Sequence, residues 1–230
     1  MLRVTIYGER CSGTNYLENL INLNFINKIS RQFGSKHFFG YYENALKNNS
    51  SKVLFICIVR DLVPWINSFF REKHHLPLKY KKNMSIEDQI DEFLNKEFFS
   101  INDDYNDYKT WDKENMNDRN MYTGKRYKNI FELRHTKIKW MIEELPKKVK
   151  NCIFIKYEDL INDFENTMNK LRNKGLIIKD NTNFPINTDN YKNDNKKKFS
   201  KIKKNNTISS EIILNNKNLI KEFEIKLGYI

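Results

Sequence analysis

Residues 8–15 read Gly-Glu-Arg-Cys-Ser-Gly-Thr-Asn. The spacing of Gly8 and Gly13, with hydroxyls at Ser12 and Thr14, is that of a loop that cradles phosphate with backbone N–H groups at a helix start. A loop built for nucleotide hydrolysis continues with Lys and then Ser or Thr after the second glycine. Here the continuation is Thr14-Asn15. The lysine that reaches terminal phosphates and the hydroxyl that holds Mg²⁺ are both missing, so the text points to oxyanion binding and away from ATP or GTP hydrolysis. The same residues also suit an ordinary strand-to-helix turn.

Two further sets of residues bear on the choice. Arg60 follows a run of buried type, and Ser68 stands eight positions later. An Arg at a strand end and a Ser two turns into the next helix can both reach one phosphate, the first with a fork of donors and the second with a hydroxyl. The alternative is an Arg60–Asp61 surface pair beside an incidental serine. His37 is the candidate general base, because an imidazole with an ordinary pKa near ~6.5 accepts a hydroxyl proton at neutral pH. Its neighbour Lys36 is either a source of charge for a leaving group or a solvated side chain. Glu9 is a second candidate base, or a partner of Arg10.

The elements that would position these residues follow from periodicity. Val4 to Tyr7 and Lys52 to Val59 are apolar, β-branched runs of the kind buried in parallel sheets, and Cys152 to Lys156 is a third. Apolar spacing predicts helices over Thr14 to Asn27, from about Pro64, over Tyr127 to Leu145 with Pro146 as a stop, over Asp159 to Arg172, and over Ser209 to Leu227. Ser85 and Asp88 mark a helix start before Ile86 to Phe99. Residues 80–128, rich in Asn, Asp, Tyr and Lys, suggest a helical or irregular insertion or lid in a single domain over 1–230. Strands alternating with helices predict an α/β fold with a central parallel sheet, and the loops after Tyr7, Val59 and Lys156 then open onto one edge.

At this point the chain resembles the sulfotransferase family. Cys11-Ser12-Gly13-Thr14-Asn15 is similar to that family's 5′-phosphosulfate loop, Lys-Ser-Gly-Thr-Thr, with Cys11 where the family has Lys. Arg60 and Ser68 have its 3′-phosphate spacing, Lys36-His37 resembles its Lys-x-His segment, and Tyr157-Glu158-Asp159-Leu160 after a strand and Leu227-Gly228-Tyr229 at the end resemble two more of its marks. The resemblance implies a three-layer, P-loop NTPase-like fold. It also implies 3′-phosphoadenosine 5′-phosphosulfate as donor, adenosine 3′,5′-bisphosphate as product, and no metal. The donor would be held by Arg10, Cys11, Ser12, Gly13, Thr14, Asn15, Arg60 and Ser68, with His37, Arg10, Glu9 and Lys36 at the chemistry. Arg10 would offer the charge that Cys11 lacks.

The acceptor implied is a hydroxyl compound, a carbohydrate or other small molecule. Two other readings stay open: a P-loop kinase, and a catalytically inactive member of the fold that binds a nucleotide or polyanion. The net charge of +12 suggests an anionic partner without saying which, and equally suits a solvated basic surface. No clustered basic and aromatic motif points to nucleic acid, and no run of about 18 apolar residues suits a membrane span. With no export signal at its start the chain is expected in the cytoplasm, and its three cysteines, none in a CxxC pair, are expected as thiols. No residues have metal-ligand spacing. His74 and His75 are expected at the surface, Trp140 in the core, and Trp65 or Trp111 as possible stacking platforms. Lys196 to Lys204 reads as a basic loop or a solvated run.

Overall fold

The computed structural model describes residues 1–41, 43–81, 83–102, 113–180, 182–188 and 207–230. In chain order the strands are β1 (Arg3–Tyr7), β2 (Val53–Val59) and β3 (Cys152–Lys156). The helices are α1 (Thr14–Asn24), α2 (Glu43–Asn49), α3 (Leu62–Glu72), α4 (Ile86–Asn95), α5 (Ile130–Lys139), α6 (Leu145–Lys148), α7 (Tyr157–Asn162), α8 (Phe164–Asn173), α9 (Ser210–Leu214) and α10 (Glu222–Lys226). The chain divides into two compact units, Met1–Asp61 with Met141–Asn205, and Leu62–Trp140 with Asn206–Ile230.

The first unit is an α/β structure whose three-stranded parallel sheet has the order β1-β2-β3 and is flanked by helices. Val4 pairs with Leu54 and Ile6 with Ile56; Ile56 in turn pairs with Ile153 and Ile58 with Ile155. Every residue of β2 is buried, as a central strand covered on both faces requires. Its branched side chains also suit the pleat. Tyr16, Leu17, Leu20 and Ile21 of α1, with Leu160, Met168 and Leu171 of α7 and α8, close over the sheet as one apolar cluster. Because all three strands are parallel, their carboxyl ends share one edge.

The second unit has its own core around Trp65, Phe69, Phe93, Phe98, Tyr127 and Ile130, all buried. Asn67 holds the C-terminal segment by donating to the Ile208 carbonyl at 2.9 Å and accepting from its N–H at 2.8 Å. Arg134 donates to both carboxylate oxygens of Glu224, at 2.5 and 2.8 Å, and its guanidinium lies over the Trp65 ring at 4.9 Å. Segment 80–128 belongs to this unit. Its described part contains α4, capped by the Ser85 side chain accepting from Asp88 N–H, and antiparallel bridges from Phe98 to Tyr127 and from Ile101 to Glu114.

Several helices are shorter than their periodicity suggests. The segment from Asp159 to Arg172 is broken at Asp163, whose φ of −134° and ψ of 50° end α7 before α8 begins. Ser209 to Leu227 is two short helices, because Asn216 turns its side chain onto the Asn218 N–H at 2.9 Å and competes with the helical ladder. Pro146 does not stop its helix. A π-helical turn over Trp140–Glu144 widens it, and Pro146 then occupies the first turn of α6, where a missing N–H costs nothing.

Candidate functional site

The chain leaves the carboxyl end of β1 through residues 8–13 and enters α1. Gly8 is packed so closely that a Cβ there would meet the Ile58 carbonyl oxygen of β2 at 2.6 Å. Gly13 sits at φ +94° as the N-cap of α1, a left-handed conformation that glycine adopts without a Cβ penalty. Ser12 turns back on the loop, its N–H and hydroxyl both donating to the Glu9 carbonyl at 3.1 and 2.6 Å. No side chain at the N-cap bonds to the start of α1, and its first turn holds no acidic residue. Its first N–H groups point out of the helix with the positive end of the backbone dipole.

A second segment reaches the same loop by running along the outer edge of β1. Ser30 N–H donates to Val4 O at 2.7 Å, Tyr7 hydroxyl to Phe33 O at 2.8 Å, and Gly8 N–H to Lys36 O at 3.0 Å. This carries Lys36 and His37 to the loop. Lys36 Nζ donates to Asn15 Oδ1 in the first turn of α1 and lies 3.5 Å from Glu18 Oε2. His37 Nδ1 is 2.8 Å from the Gly8 carbonyl oxygen. A carbonyl only accepts, so Nδ1 carries the proton, and in the neutral ring Nε2 holds the lone pair.

The other two strand ends contribute Arg60 and Tyr157. Arg60 Nη1 donates to the Cys11 carbonyl at 3.3 Å, and its guanidinium lies 4.7 Å from the centre of the Tyr157 ring. Tyr157 in turn abuts the loop, since a Cβ on Gly13 would lie 2.3 Å from its Cδ2. Glu158 accepts from the Asp61 N–H at 3.0 Å and so fixes the turn that follows Arg60. Three strand ends are thus tied together around residues 11–15.

Other candidates lie elsewhere or do other work. Arg10 is only 1 % exposed; its Nε and its N–H both donate to Glu9 Oε1, at 2.6 and 2.7 Å, and its guanidinium faces the Phe38 ring at 5.5 Å. Glu9, 6 % exposed, is therefore paired with its neighbour Arg10. Cys11 is half-buried, at φ +64°. Ser68 belongs to α3 in the second unit. His74, exposed and 3.9 Å from Glu72, and His75, whose carbonyl accepts from Ile101 N–H, lie in the same unit beyond the end of α3.

Trp65 is not a stacking platform: it is 0 % exposed, with Arg134 on its ring. Trp140 is in the core as expected. Trp111 and Lys196 to Lys204 lie outside the described residues. Cys57 and Cys152 are free thiols, and burial pushes both above the ordinary thiol range. A cavity of about 540 Å³ lies at the opposite, amino edge of the sheet, lined by Arg3, Gln32, Phe33, Asn48 and Lys52 among others. Among the described residues no helix is long and apolar enough to cross a membrane.

What periodicity and spacing missed is the pairing of Lys36 with Asn15 and the Tyr157 ring between Gly13 and Arg60. The only local sign of the latter was the Tyr157-Glu158 text itself. Comparison with protein-family models, with curated proteins and with solved structures finds no match. The chemistry of the loop has to be read from its own groups. They amount to an uncapped helix start, two cations and an imidazole whose proton faces away from its lone pair.

Proposed function

We propose that this chain is a sulfotransferase-type enzyme on a P-loop NTPase-like fold, using 3′-phosphoadenosine 5′-phosphosulfate as donor and a hydroxyl compound, a carbohydrate or other small molecule, as acceptor. One observation carries the reading. Lys36 bonds to Asn15 and Arg60 to the Cys11 carbonyl, which brings two cations to the start of α1, where the backbone dipole favours an anion. That donor set suits a sulfate or phosphate group.

The donor supplies an activated sulfuryl group, which passes to the acceptor oxygen as the bond to the 5′-phosphate breaks, leaving adenosine 3′,5′-bisphosphate. Backbone N–H groups of Gly13, Thr14 and Asn15 would hold the 5′ end, in a loop that the Ser12 hydroxyl braces by donating to the Glu9 carbonyl. Arg60 would take a phosphate as an ionic fork. Lys36 would offset charge on the leaving oxygen. His37 Nε2 would take the acceptor's proton, its orientation set by the Gly8 carbonyl. Glu9 and Arg10, locked to each other, shape the loop in this reading, which leaves His37 as the base.

The test is calorimetric titration with adenosine 3′,5′-bisphosphate, with and without Mg²⁺, beside ATP and an Arg60→Ala variant. Binding that ignores Mg²⁺ and is lost in Arg60→Ala is the expected result. Preference for Mg-ATP, or no binding, would overturn the proposal. Cys11 in place of a loop lysine favours a second reading, a non-catalytic binder of the same nucleotide. It predicts binding without turnover across phenolic, carbohydrate and peptide acceptors.

A further inference from the structure

Residue 11, where the resembled loop would carry its cation, is a cysteine, and the one cationic side chain inside the loop, Arg10, is buried against Glu9. The charge nevertheless returns from outside. Lys36 arrives along the edge of β1 and bonds to Asn15, at the position where the family text has a second threonine. Asn15 offers Lys36 a carbonyl oxygen, which is an acceptor fixed in the first turn of α1.

Glu18, one turn further along the same helix, completes the arrangement. Its Oε2 lies 3.5 Å from Lys36 Nζ and 2.6 Å from Arg31 Nη2. Lys36 is 18 % exposed and Glu18 25 %, so the contact is screened but not fully solvated. Because Arg31 also holds Glu18, Lys36 can turn from that carboxylate to an incoming anion without stranding the charge it leaves. Asn15 places the ammonium, and Glu18 competes with the anion for it.

We propose that Lys36, placed by Asn15 and restrained by Glu18, supplies the anion-binding charge that residue 11 lacks. Asn15 and Glu18 are positioning residues in this arrangement. The inference rests on the nucleotide reading given above.

The experiment titrates adenosine 3′,5′-bisphosphate into the wild-type chain and into Lys36→Met, Cys11→Lys/Lys36→Met, Asn15→Ala, Asn15→Ala/Lys36→Met and Glu18→Gln, with thermal unfolding as the control for folding. Losing one charge-assisted contact should weaken binding about 10-fold or more in Lys36→Met. Restoring a lysine at position 11 should recover most of it. Asn15→Ala should weaken binding in the wild-type background and add little once Lys36 is gone, since residues acting through one contact are not additive. Glu18→Gln should tighten binding by removing a competitor. A purely structural Lys36 would show no rescue from position 11 and no change of sign at Glu18.

Wild-type affinity retained in folded Lys36→Met overturns the inference and leaves the nucleotide reading standing. Failure of the double variant to recover also overturns it. Failure of the wild-type chain itself to bind overturns both.

Discussion

The ring of Tyr157 occupies the space that any side chain at residue 13 would need. A Cβ built on Gly13 lies 2.3 Å from Tyr157 Cδ2 and 2.7 Å from Cε2, well inside van der Waals contact. The loop after β1 and the first residue of α7 are therefore one packed object, and Arg60, just past the end of β2, is laid on the same ring at 4.7 Å. A glycine at position 13 meets two demands at once, a left-handed backbone and the absence of a side chain.

Gly13→Ala should accordingly destabilise the chain by at least about 2 kcal/mol, combining the φ penalty with the clash. The combination with Tyr157→Ala separates the two causes. Removing the ring should relieve part of the cost and leave the backbone part, so the two changes should be non-additive in denaturant unfolding. Additive losses would show that the contact does not constrain residue 13.

Tyr157 should matter to anion binding through Arg60. A cation–π contact at a half-buried site contributes about 1 kcal/mol. Tyr157→Phe keeps the ring and should leave nucleotide affinity nearly unchanged. Tyr157→Leu loses the π face and should weaken affinity about five-fold, by calorimetry. The same change in an Arg60→Ala background should have little further effect.

The strands and the Ser85 helix start were legible in the sequence because they are local: a buried parallel strand declares itself in continuous β-branched text, and a cap in three residues. The breaks at Asp163 and Asn216 were not, since apolar period continues across both; Asp163 leaves the helical region of φ and ψ, and the Asn216 side chain takes a backbone N–H. The candidate loop was legible from Gly8 and Gly13. The inward turn of Arg10 onto Glu9 was not, because a charged side chain in a loop reads as a ligand group until its burial is known. Lys36 and Asn15 are 21 residues apart, and what joins them is the lie of residues 28–37 along β1, a tertiary fact without a local signature. Trp65 misled in the same way, its partner Arg134 being far along the chain.

Glu114 offers a test of stability against pH. Arg126, and after it Arg119, hold its carboxyl below the ordinary carboxylate range by hydrogen bonds and charge, against the opposing effect of burial. A carboxylate with a depressed folded pKa contributes stability that is present above its unfolded pKa and lost as pH falls through the folded one. Glu114→Gln should therefore cost about 1–2 kcal/mol at pH 7, where the ionised bonds exist. The gap between variant and wild type should close as the pH falls through the acid range below ~4. Thermal unfolding at stepped pH gives both curves, and a gap independent of pH would show that Glu114 acts through packing alone.

The buried pair in the second unit makes a sharper claim. Arg134 and Glu224 are both nearly inaccessible, joined by two hydrogen bonds and stacked against Trp65. Breaking such a pair from one side leaves a buried charge without its partner and costs about 3–5 kcal/mol. Glu224→Gln and Arg134→Met should each fall in that range, and the double variant Arg134→Met/Glu224→Leu should be more stable than either single one. Urea unfolding measures all three. Single variants within about 1 kcal/mol of wild type would mean that water reaches the pair.

His37 can be separated from the fold it helps to hold. Its Nδ1–H donates to the Gly8 carbonyl, the same residue whose N–H bonds to Lys36 O, so His37→Ala removes a tether as well as a base. Glutamine has an amide N–H with similar reach to that carbonyl and no basic nitrogen. If His37 Nε2 takes the acceptor's proton, His37→Gln should keep thermal stability and nucleotide affinity close to wild type. It should lose about 10²- to 10⁴-fold in turnover, the usual contribution of a general base. His37→Ala should lose the same turnover and some stability besides. Turnover retained in His37→Gln at neutral pH would remove His37 from the chemistry and leave it the role of holding Gly8, and would return the search for a base to Glu9.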